Sequence, residues 1–473
     1  MSFSKYSSIF HSHSFRQNTK FSAFIKQIYL HCPFNNMSIE KIIGIRREDH
    51  NKWERRVPLV PSDVKTILNE NTCGISIQPS KLRIFSEHPY EQAGAVISET
   101  LNEADIILAV KEIPVELLQE GKTYLFFSHT IKGQSYNMKM LQRMMDLKCN
   151  LIDYEKIVDE KNRRLIFFGR YAGLAGLIET IHAYGKKLKL QGIHTPFKKI
   201  KQAYQYSSVE EAKMHFKSVA DDLQKNGIPK NLGPVVFGFA GYGNVSCGAQ
   251  ELFDLLPHKD LSPTELVENF SSLTSCDGTL FKFVFKEEHM VIPKNGKFDL
   301  KDYYDNPENY TGNFSSWLPY VNVLVNCIYW TEKYPRLVTK DYLYQHPDGN
   351  LSVIGDISCD IEGSIEITHK STYPDSATYT YFPAKKQFKD GTLRNGITIM
   401  AVDNLPCEFS KESSIEFSKV LREFIPLLIQ ENFSLPFEEL KLPVSMKRGL
   451  ILHQGKLTED YIYIKQYLKK KTS

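Results

Sequence analysis

The sequence predicts an α/β protein with two doubly wound domains, and three observations support this prediction. The chain has 473 residues, which is too long for one ordinary hydrophobic core. Apolar, strand-like segments alternate with helical segments over most of its length, and this alternation is typical of a mostly parallel sheet with helices on its faces. The composition, with 42% hydrophobic and 24% charged residues, is that of a folded globular chain.

Charge, cysteine spacing and hydropathy narrow the range of functions. The formal net charge is +4, from 59 basic and 55 acidic side chains, so we expect no nucleic-acid partner. The eight cysteines are far apart and form no C-x-x-C pair, which disfavours a metal site or a disulfide framework. No apolar run approaches the roughly 18 to 20 residues of a membrane span, so we expect no membrane partner.

The first 39 residues have the composition of a targeting leader. They contain four basic residues and many serines, and no acidic residue precedes Glu40. This composition is typical of a mitochondrial transit peptide, and a disordered polar tail is the alternative. The prediction is therefore a protein of the mitochondrial matrix, or a cytoplasmic form if translation starts at Met37.

The segments that follow predict a first domain over residues 40–168. Four segments have the pattern of strands: KIIGIRRE, ADIILAVKE, KTYLFFSHT and NLIDYEKIV. Two others have the pattern of helices: PSDVKTILNE and NMKMLQRMMDLK. The chain is expected to return to this domain over about 395–473, where the helix SSIEFSKVLREFIPLLIQ ends the fold. The first domain is therefore predicted to be split in sequence, with an active-site cleft between the two domains.

Residues 169–394 predict the second domain. It begins with a long helix, YAGLAGLIETIHAYGKKL, in which Gly173 and Gly176 would let another element approach closely. FKFVFKE, VNVLVNCIYW and LSVIGDIS read as strands of its sheet. The aromatic, lysine-rich stretch near 286–320 is interpreted as an insertion.

The most informative segment is PVVFGFAGYGNVSCGAQELFDLL. An apolar strand leads into Gly241 and Gly243 and then into a helix, which is the context that a dinucleotide fingerprint of Rossmann-like domains requires. Gly241 would make the tight turn, and Gly243 would let the backbone approach a pyrophosphate. The N–H groups from Asn244 and Val245 onward would face the phosphates, and the small Ser246 would replace the usual third glycine. A glycine-rich turn without cofactor remains the alternative.

The preference between NADP and NAD depends on the strand that follows. About 20 residues on, HKDLSPTE has no acidic residue clearly at a strand end, where an NAD enzyme would bind the ribose 2′-hydroxyl. Asp260 could serve, depending on register. The sequence favours NADP as cofactor and leaves NAD possible.

Unusual polar residues follow the strands of the first domain. Lys111 and His129 each end an apolar strand, at the edge where open α/β sheets place their ligands. A partly desolvated lysine and a histidine can exchange protons near neutral pH, so the two are candidates for an acid/base pair. Arg56, in a turn before Pro58, could bind a substrate carboxylate with two hydrogen bonds.

These segments, in this order, resemble a known family. WERRVPLVP, LAVKEIP and LFFSHTIKGQ are similar to the N-terminal domain shared by alanine dehydrogenase, proton-translocating transhydrogenase and saccharopine dehydrogenase. Four further segments give a closer resemblance, to the lysine-2-oxoglutarate reductase half of aminoadipic semialdehyde synthase. They are RYAGLAGLIETIHAYGKKL, GYGNVSCGAQELF, VNCIYW and GDISCDIEGSIE. The resemblance covers the chain from about residue 41 onward.

The resemblance implies roles for individual residues. Lys111 and His129 would be the acid/base pair, and Arg56 would bind a substrate carboxylate. Further substrate contacts would come from Gln134, Phe168, Asn326 and Cys327. Cofactor contacts would come from Arg163, Asp356 and Ser358.

The function that the resemblance implies is the joining of lysine to 2-oxoglutarate with NADPH, which gives saccharopine. The expected partners are these small molecules and a separate saccharopine-cleaving dehydrogenase. An alanine-dehydrogenase-like enzyme that acts on a smaller oxo acid is one alternative. An inert regulatory member of the family is another, although such a protein would be expected to lack the lysine or the histidine. The oligomeric state stays open.

Overall fold

The computed structural model describes residues 41–49 and 51–468. These residues form two compact units. Unit 1 contains the described residues before His50, then Val57–Ile166 and the residues from Phe417 on, whereas unit 2 contains Asn51–Arg56 and Phe167–Glu416. The predicted leader, including Met37, lies outside the described residues.

Eighteen strands and fourteen α-helices are named along the described chain. The strands are β1 Lys41–Ile45, β2 Cys73–Ile77, β3 Val96–Ile97, β4 Ile106–Leu108, β5 Thr123–Phe126, β6 Asn150–Asp153, β7 Val236–Ala240, β8 His258–Asp260, β9 Leu280–Phe285, β10 Val291–Pro293, β11 Tyr310–Gly312, β12 Val323–Asn326, β13 Val353–Asp356, β14 Thr378–Phe382, β15 Gln387–Asp390, β16 Ile397–Met400, β17 Leu450–His453 and β18 Lys456–Leu457. The helices are α1 Pro61–Glu70, α2 Glu87–Gln92, α3 Ser135–Asp146, α4 Gly169–Leu190, α5 Val209–Asn226, α6 Asn244–Phe253, α7 Pro263–Glu268, α8 Glu287–Met290, α9 Leu300–Asp305, α10 Lys340–Gln345, α11 Ser410–Arg422, α12 Ile425–Gln430, α13 Val444–Gly449 and α14 Lys465–Leu468.

Unit 1 is built on one eight-stranded sheet. The strand order is β18-β17-β6-β5-β4-β1-β2-β3. Strands β1 to β6 are parallel, and β17 and β18 add an antiparallel edge. The order reverses at β1 and β4, which is the kind of switch point where open α/β sheets bind ligands beyond the carboxyl ends of their strands.

Unit 2 contains a second eight-stranded sheet, with the order β15-β14-β16-β13-β12-β7-β9-β8. Six of its strands are parallel to one another. Strand β14 pairs with β16 in the antiparallel direction, and β15 pairs with β14 in the antiparallel direction. The prediction of an α/β protein with two doubly wound sheets is therefore confirmed. Residues 286–320 lie outside this sheet and include the separate antiparallel ribbon β10–β11.

Both faces of the unit 2 sheet are buried. Val236 and Ala240 of β7 pack in one hydrophobic cluster, whereas Phe237 and Phe239 of the same strand pack in another. Successive side chains of a strand point to opposite faces, so an apolar residue at every position means that both faces are covered. This explains why the strand before the glycine loop is a continuous apolar run.

Helix α4 packs tightly because of its glycines. A Cβ atom on Gly173 would collide with the backbone of Val245 and Ala249 in α6, and one on Gly248 of α6 would collide with the backbone of Arg170. Fifteen of the 22 residues of α4 are buried, as expected for a helix that is apolar on most sides. The predicted close approach at Gly173 is therefore present.

The boundaries of the units differ from those expected from the sequence. The chain returns to unit 1 at Phe417 rather than near residue 395, because β16 pairs with β13 in the second sheet. Residues Asn51–Arg56 belong to unit 2 although they lie between two parts of unit 1 in sequence.

Candidate active site

In unit 1, Lys111 and His129 follow adjacent parallel strands. Lys111 comes after β4 and His129 after β5, and these two strands pair directly. The structure therefore places both residues at one edge of the unit 1 sheet, as expected for residues that follow neighbouring parallel strands. His129 has a φ of +47°, a left-handed conformation that non-glycine residues adopt rarely and often at functional sites.

Glu112 connects this pair electrostatically. Its Oε1 atom lies 2.5 Å from His129 Nδ1, and about 14% of its side chain and 31% of the histidine side chain are exposed. Burial disfavours the Glu112 carboxylate, but the hydrogen bond and charge of His129, together with the charge of Lys111, lower the pKa of Glu112 to about 2. Burial also opposes a charge on His129, yet Glu112 outweighs it and raises the pKa of His129. A carboxylate on Nδ1 leaves Nε2 as the ring atom for proton exchange.

Backbone and side-chain hydrogen bonds hold this group in place. The carboxylate of Glu48, after β1, accepts the N–H groups of Val110 at 2.6 Å and of Lys111 at 3.0 Å. The side-chain amide of Asn137 donates to Glu112 Oε1 at 3.2 Å and to the Ser128 carbonyl at 2.9 Å. The chain on both sides of the Glu112–His129 contact is therefore fixed.

Asp153 adds a buried negative charge behind the histidine. Its Oδ2 atom accepts hydrogen bonds from the N–H of Ser128 at 3.1 Å and from the Ser128 hydroxyl at 2.5 Å. Burial and the neighbouring charge of Glu155 raise the pKa of Asp153 to about 6, against the opposing effect of Ser128. When ionised, Asp153 also favours the protonated form of His129.

Arg56 lies in unit 2 and is already engaged. Its Nε donates to Glu54 Oε1 at 2.7 Å and its Nη2 to Glu54 Oε2 at 2.6 Å, and both side chains are buried. The guanidinium carbon lies 4.3 Å from the ring centroid of Phe168, so the planar group stacks on that ring. Glu54 therefore binds this edge of Arg56, and the role of Arg56 in binding a substrate carboxylate stays a prediction.

Gln134 and Arg163 lie in unit 1. Gln134 precedes α3, and its Oε1 accepts the N–H of Lys132 at 3.2 Å. Arg163 is 73% exposed and donates to Asp159 at 2.7 Å, beside a cavity of about 490 Å³. Arg163 therefore belongs to unit 1, whereas the glycine loop belongs to unit 2. A contact between Arg163 and the cofactor stays a prediction.

The glycine loop of unit 2 has the geometry of a dinucleotide site. Gly241 adopts a φ of +94° and donates its N–H to the Phe285 carbonyl at 3.0 Å. A Cβ atom on Gly243 would meet no other heavy atom within 4 Å, so space is open beside this residue. Helix α6 begins at Asn244, and its first N–H groups, including that of Val245, have no partner within the helix. These groups fit a pyrophosphate.

Ser246 and Cys327 lie next to the glycine loop, in the helix that follows it and in the neighbouring strand connection. Ser246 is fully buried in the first turn of α6, and its hydroxyl accepts from Gln250 at 2.9 Å. Cys327 follows β12 and donates its backbone N–H to the Ala240 carbonyl at 3.0 Å. Burial raises the pKa of the Cys327 thiol, so the thiol stays protonated and acts as a small packing group.

The side chains of Asn326 and Asp356 form a hydrogen bond with each other and are not exposed to solvent. Both are buried, and the amide of Asn326 donates to Asp356 Oδ1 at 2.8 Å. The hydroxyl of Thr368 donates to Asp356 Oδ2 at 2.6 Å, and burial raises the pKa of Asp356 to about 6. Ser358 donates to the Ile328 carbonyl at 2.6 Å, which joins the loops after β12 and β13. The structure thus gives these residues contacts within unit 2 that fix two loops.

The strand beside the glycine loop is not the expected one. Strand β9 pairs with β7, whereas β8 with Asp260 lies at the outer edge of the sheet. Asp260 is 70% exposed and lies 3.4 Å from Lys282. The position next to the loop is therefore the end of β9, which is followed by Lys286 and Glu287. Tyr242 of the loop donates its hydroxyl to Glu287 at 3.1 Å.

Sequence reasoning missed Glu112, Glu48 and Glu287. Glu112 directly follows Lys111 in LAVKEIP, so its position after a strand was a usable signal. Glu48 and Glu287 also follow strands, but their roles depend on which strands become neighbours, and that was not visible in the sequence. Among residues 41–49 and 51–468, no group of three or more His, Cys, Asp or Glu side chains is placed to hold a metal ion. No helix in that part of the chain is long and apolar enough to cross a membrane.

Comparison with known proteins gives consistent relatives. Residues 44–175 match the family model described as Alanine dehydrogenase/PNT, N-terminal domain, and residues 308–460 match its C-terminal domain. The chain is 38% identical to Alpha-aminoadipic semialdehyde synthase of Arabidopsis thaliana over 447 residues, which are 90% of this chain and 42% of that protein. It is 33% identical to the mitochondrial Alpha-aminoadipic semialdehyde synthase of Mus musculus, over 92% of this chain and 49% of that protein. The chain thus spans about half the length of these curated relatives.

A shorter relative and two solved structures complete the comparison. Saccharopine dehydrogenase [NAD(+), L-lysine-forming] of Emericella nidulans is 24% identical over 80% of this chain and 92% of that protein. An L-alanine dehydrogenase structure has a TM-score of 0.57 at 15% identity and covers 90% of this chain and 98% of that chain. A transhydrogenase structure from Sinorhizobium meliloti has a TM-score of 0.51 at 15% identity, over 88% of this chain and 100% of that chain. These two structures support the fold.

The resemblance inferred from the sequence motifs is confirmed by these relatives. Both domain models of one family match, in the expected order, and the solved structures share the two-sheet fold. This chain belongs to the alanine dehydrogenase/PNT family.

Proposed function

We propose that this chain condenses L-lysine with 2-oxoglutarate and reduces the product to saccharopine, with NADPH as the hydride donor. The observation that carries the proposal is the group Lys111, Glu112 and His129 in unit 1, which can donate and accept protons. The relatives at 33% and 38% identity are aminoadipic semialdehyde synthases, and a more distant one is a lysine-forming saccharopine dehydrogenase.

The residues of unit 1 supply the proton transfers of the proposed reaction. The amine of lysine must lose a proton before it attacks the 2-oxo group, and the carbinolamine oxygen must gain one before it leaves as water. Nε2 of His129 and Nζ of Lys111 are the atoms that would exchange these protons. Glu112 keeps the imidazole in one orientation and favours its charged form. Bound NADPH would supply the hydride that reduces the imine carbon.

Unit 2 supplies the backbone that would hold the dinucleotide. Gly241, Gly243 and the first N–H groups of α6 would bind the pyrophosphate. At the ribose, Lys286 is the first residue after β9, and its charge would attract the 2′-phosphate of NADP. Glu287 would favour NAD, but its carboxylate already accepts the hydroxyl groups of Tyr242 and Tyr304. These contacts support NADP, with NAD as the alternative.

Arg56 would bind a carboxylate of 2-oxoglutarate while Glu54 and Phe168 hold the guanidinium in place. A lysine at this position could neither stack on the ring nor bind Glu54 with two parallel hydrogen bonds. Arg56→Lys is therefore expected to raise the KM for 2-oxoglutarate more than the KM for lysine.

The names of the mammalian relatives and the basic leader together support mitochondrial localisation. A fluorescent fusion to residues 1–39 should enter mitochondria, and the same fusion that begins at Met37 should stay in the cytoplasm.

The proposed reaction is tested by following NADPH absorbance in two mixtures. Lysine with 2-oxoglutarate should give turnover, and ammonia with pyruvate should give little. Turnover in the second mixture alone would make the chain an alanine-dehydrogenase-like enzyme. No turnover in either mixture, with a folded protein that binds NADPH, would favour an inert family member.

The cofactor choice has its own test. Lys286→Asp should lower kcat/KM for NADPH by about tenfold to a hundredfold, because a hydrogen bond to a charged group contributes roughly 1.5–3 kcal/mol. The same variant should leave kcat/KM for NADH nearly unchanged, with the exposed Lys294→Asp as a matched control. An unchanged NADPH value would remove Lys286 from the proposed ribose site.

A further inference from the structure

Two buried carboxyl groups in unit 2 have no part in the proposed chemistry. Glu179 lies on α4 and Glu408 in the short 3-10 helix Leu405–Phe409. Only 1% of Glu179 and 8% of Glu408 is exposed. Buried carboxyl groups are rare unless they are paired, so their presence requires a physical reason.

The hydrogen bonds of both carboxyl groups go to the same short segment, residues 202–204. Glu179 accepts the backbone N–H of Ala203 at 2.6 Å and the side-chain amide of Gln202 at 3.2 Å. Glu408 Oε2 accepts the N–H of Tyr204 at 3.1 Å. Its other oxygen, Oε1, is buried and accepts no hydrogen bond from an N–H or O–H group. Because Ala203 and Tyr204 are consecutive residues, the two carboxyl groups that accept their N–H groups lie near each other. Two buried carboxylates near each other would repel, whereas one shared proton would join them by a hydrogen bond.

The pair holds a loop against which the segment Asn51–Arg56 packs. The ring of Tyr204 lies 5.0 Å from that of Trp53, measured between centroids. Gln202 also donates to the Pro374 carbonyl at 2.6 Å, and the next residue, Asp375, lies 2.7 Å from Lys52. We call the set Gln202, Tyr204, Pro374 and Asp375 the platform. The platform is therefore linked to the carboxyl pair on one side and to Lys52 and Trp53 on the other.

We propose that Glu179 and Glu408 share one proton, and that this proton holds the platform beneath Trp53 and so positions Arg56. Arg56 lies three residues after Trp53 and stacks on Phe168, so a shift of the segment would move its guanidinium. The two glutamates are positioning residues, because they act on Arg56 through the platform. The effect on catalysis rests on the proposed function of Arg56, whereas the effect on Trp53 does not.

The charge environment gives the direction of the pH dependence. Burial raises the pKa of Glu179 to about 7, and burial together with the charge of Glu179 raises that of Glu408 well above its ordinary value. A carboxyl group with a raised pKa in the folded state stabilises most below its ordinary value, and this stability is lost as the pH rises through the raised value. The first of the two protons therefore leaves near neutral pH and leaves the single shared proton behind, so the platform should loosen only as the pH rises further, through the higher pKa of Glu408. Further titratable groups around the loop are His182, Tyr206 with its partner His215, Lys201 with its partner Glu211, and the pair of Lys52 and Asp375.

Trp53 reports the state of the platform directly. The chain contains three tryptophans, so the emission of Trp53 is obtained as the difference between the unmodified protein and Trp53→Phe. This difference spectrum should shift to longer wavelength only as the pH rises well above neutral, because solvent reaches the indole as the shared proton leaves and the platform loosens. Glu408→Gln places a permanent amide donor opposite Glu179 and should abolish the shift. The exposed Glu210→Gln, which makes the same chemical change, should retain it.

The kinetic arm measures the effect on Arg56. Glu408→Ala should raise the KM for 2-oxoglutarate by about tenfold, the equivalent of one lost buried hydrogen bond, with the KM for lysine changed by less than about twofold. Glu408→Gln should restore the KM for 2-oxoglutarate and remove its rise at pH values well above neutral. Circular dichroism spectra of each variant check that unit 2 is folded.

The outcomes separate the two proposals. A Trp53 shift that persists unchanged in Glu408→Gln would overturn the shared proton. If the shift is lost but the KM for 2-oxoglutarate keeps its full pH dependence, the pair does not position Arg56. If no turnover with lysine and 2-oxoglutarate is found, the proposed function fails, and the fluorescence arm still decides on the pair.

Discussion

Units 1 and 2 both place polar residues after parallel strands, but they use these residues in different ways. In unit 1, Glu112 and His129 are partly exposed and are connected by charge. In unit 2, Asn326 and Asp356 are buried and bond to each other, while the backbone beside Gly243 is open. The difference teaches that a sheet edge can offer either its side chains or its backbone to a ligand. Under the proposed function, the side chains of unit 1 would transfer protons and the backbone of unit 2 would hold phosphates.

The largest expected effect follows from removing the proton-transfer groups of unit 1. Lys111→Met and His129→Gln should each lower kcat by roughly 10²- to 10⁴-fold, the usual contribution of general acid–base catalysis. The exposed residues Lys139 and His88 provide matched controls, as Lys139→Met and His88→Gln, and should keep normal rates. A normal kcat in either active-site variant would remove that residue from the proposed proton transfer.

The two glycines of unit 2 should respond differently to a larger side chain. Gly243→Val should raise the KM for the dinucleotide by about tenfold to a hundredfold without lowering the melting temperature, because the new side chain enters open space beside the phosphates. Gly241→Val should instead destabilise the fold by roughly 1–2 kcal/mol, because its φ is positive. Thermal melts and dinucleotide titrations measure both effects. If Gly243→Val binds the dinucleotide normally, the loop is a structural turn.

The link between Glu112 and His129 predicts a shift in the pH profile. Glu112 raises the pKa of His129, so a reaction that needs the neutral imidazole loses rate as the pH falls through that raised value. Glu112→Gln removes the charge, and the loss should then occur at lower pH, with kcat reduced by about tenfold at the optimum. The profile of kcat/KM against pH is the measurement. A profile that does not move would mean that His129 is not the titrating group.

The smallest effect is expected in the buried polar network of unit 2. Ser358→Ala removes the hydrogen bond between the loops after β12 and β13, which contributes about 1 kcal/mol. We expect a slightly lower melting temperature and a dinucleotide KM raised by less than about threefold. A tenfold or larger increase in KM would indicate that Ser358 touches the cofactor directly, as the resemblance to the family implied.

Local chain order made much of the fold predictable. The strand, turn and helix around Gly241 follow one another directly, and Lys111 and His129 each follow an apolar strand, so neighbouring residues carry the signal. Asp260 shows where this reasoning stops. Its strand lies about 20 residues after the loop, but β9 occupies the neighbouring position, and strand neighbours are set by tertiary pairing rather than by distance along the chain.

The same limit explains the remaining differences. Arg56 contacts Glu54 and Phe168 because Asn51–Arg56 packs in unit 2. The hydrophobic pattern of the sequence does not indicate this packing. The sequence places the return of the chain to unit 1 near residue 395, too early, because its pattern does not identify the strands β14 to β16. Their residues still pair in the second sheet, which moves the boundary to Phe417.

The central claim is that this chain joins two substrates and reduces the bond between them. It is tested most directly by mass analysis of the product formed from lysine, 2-oxoglutarate and NADPH carrying deuterium at the transferable position. The account predicts a single compound that contains the carbon skeletons of both substrates and one deuterium. When ammonia is added to the same mixture, formation of deuterated glutamate from 2-oxoglutarate and ammonia, without incorporation of lysine, would contradict it.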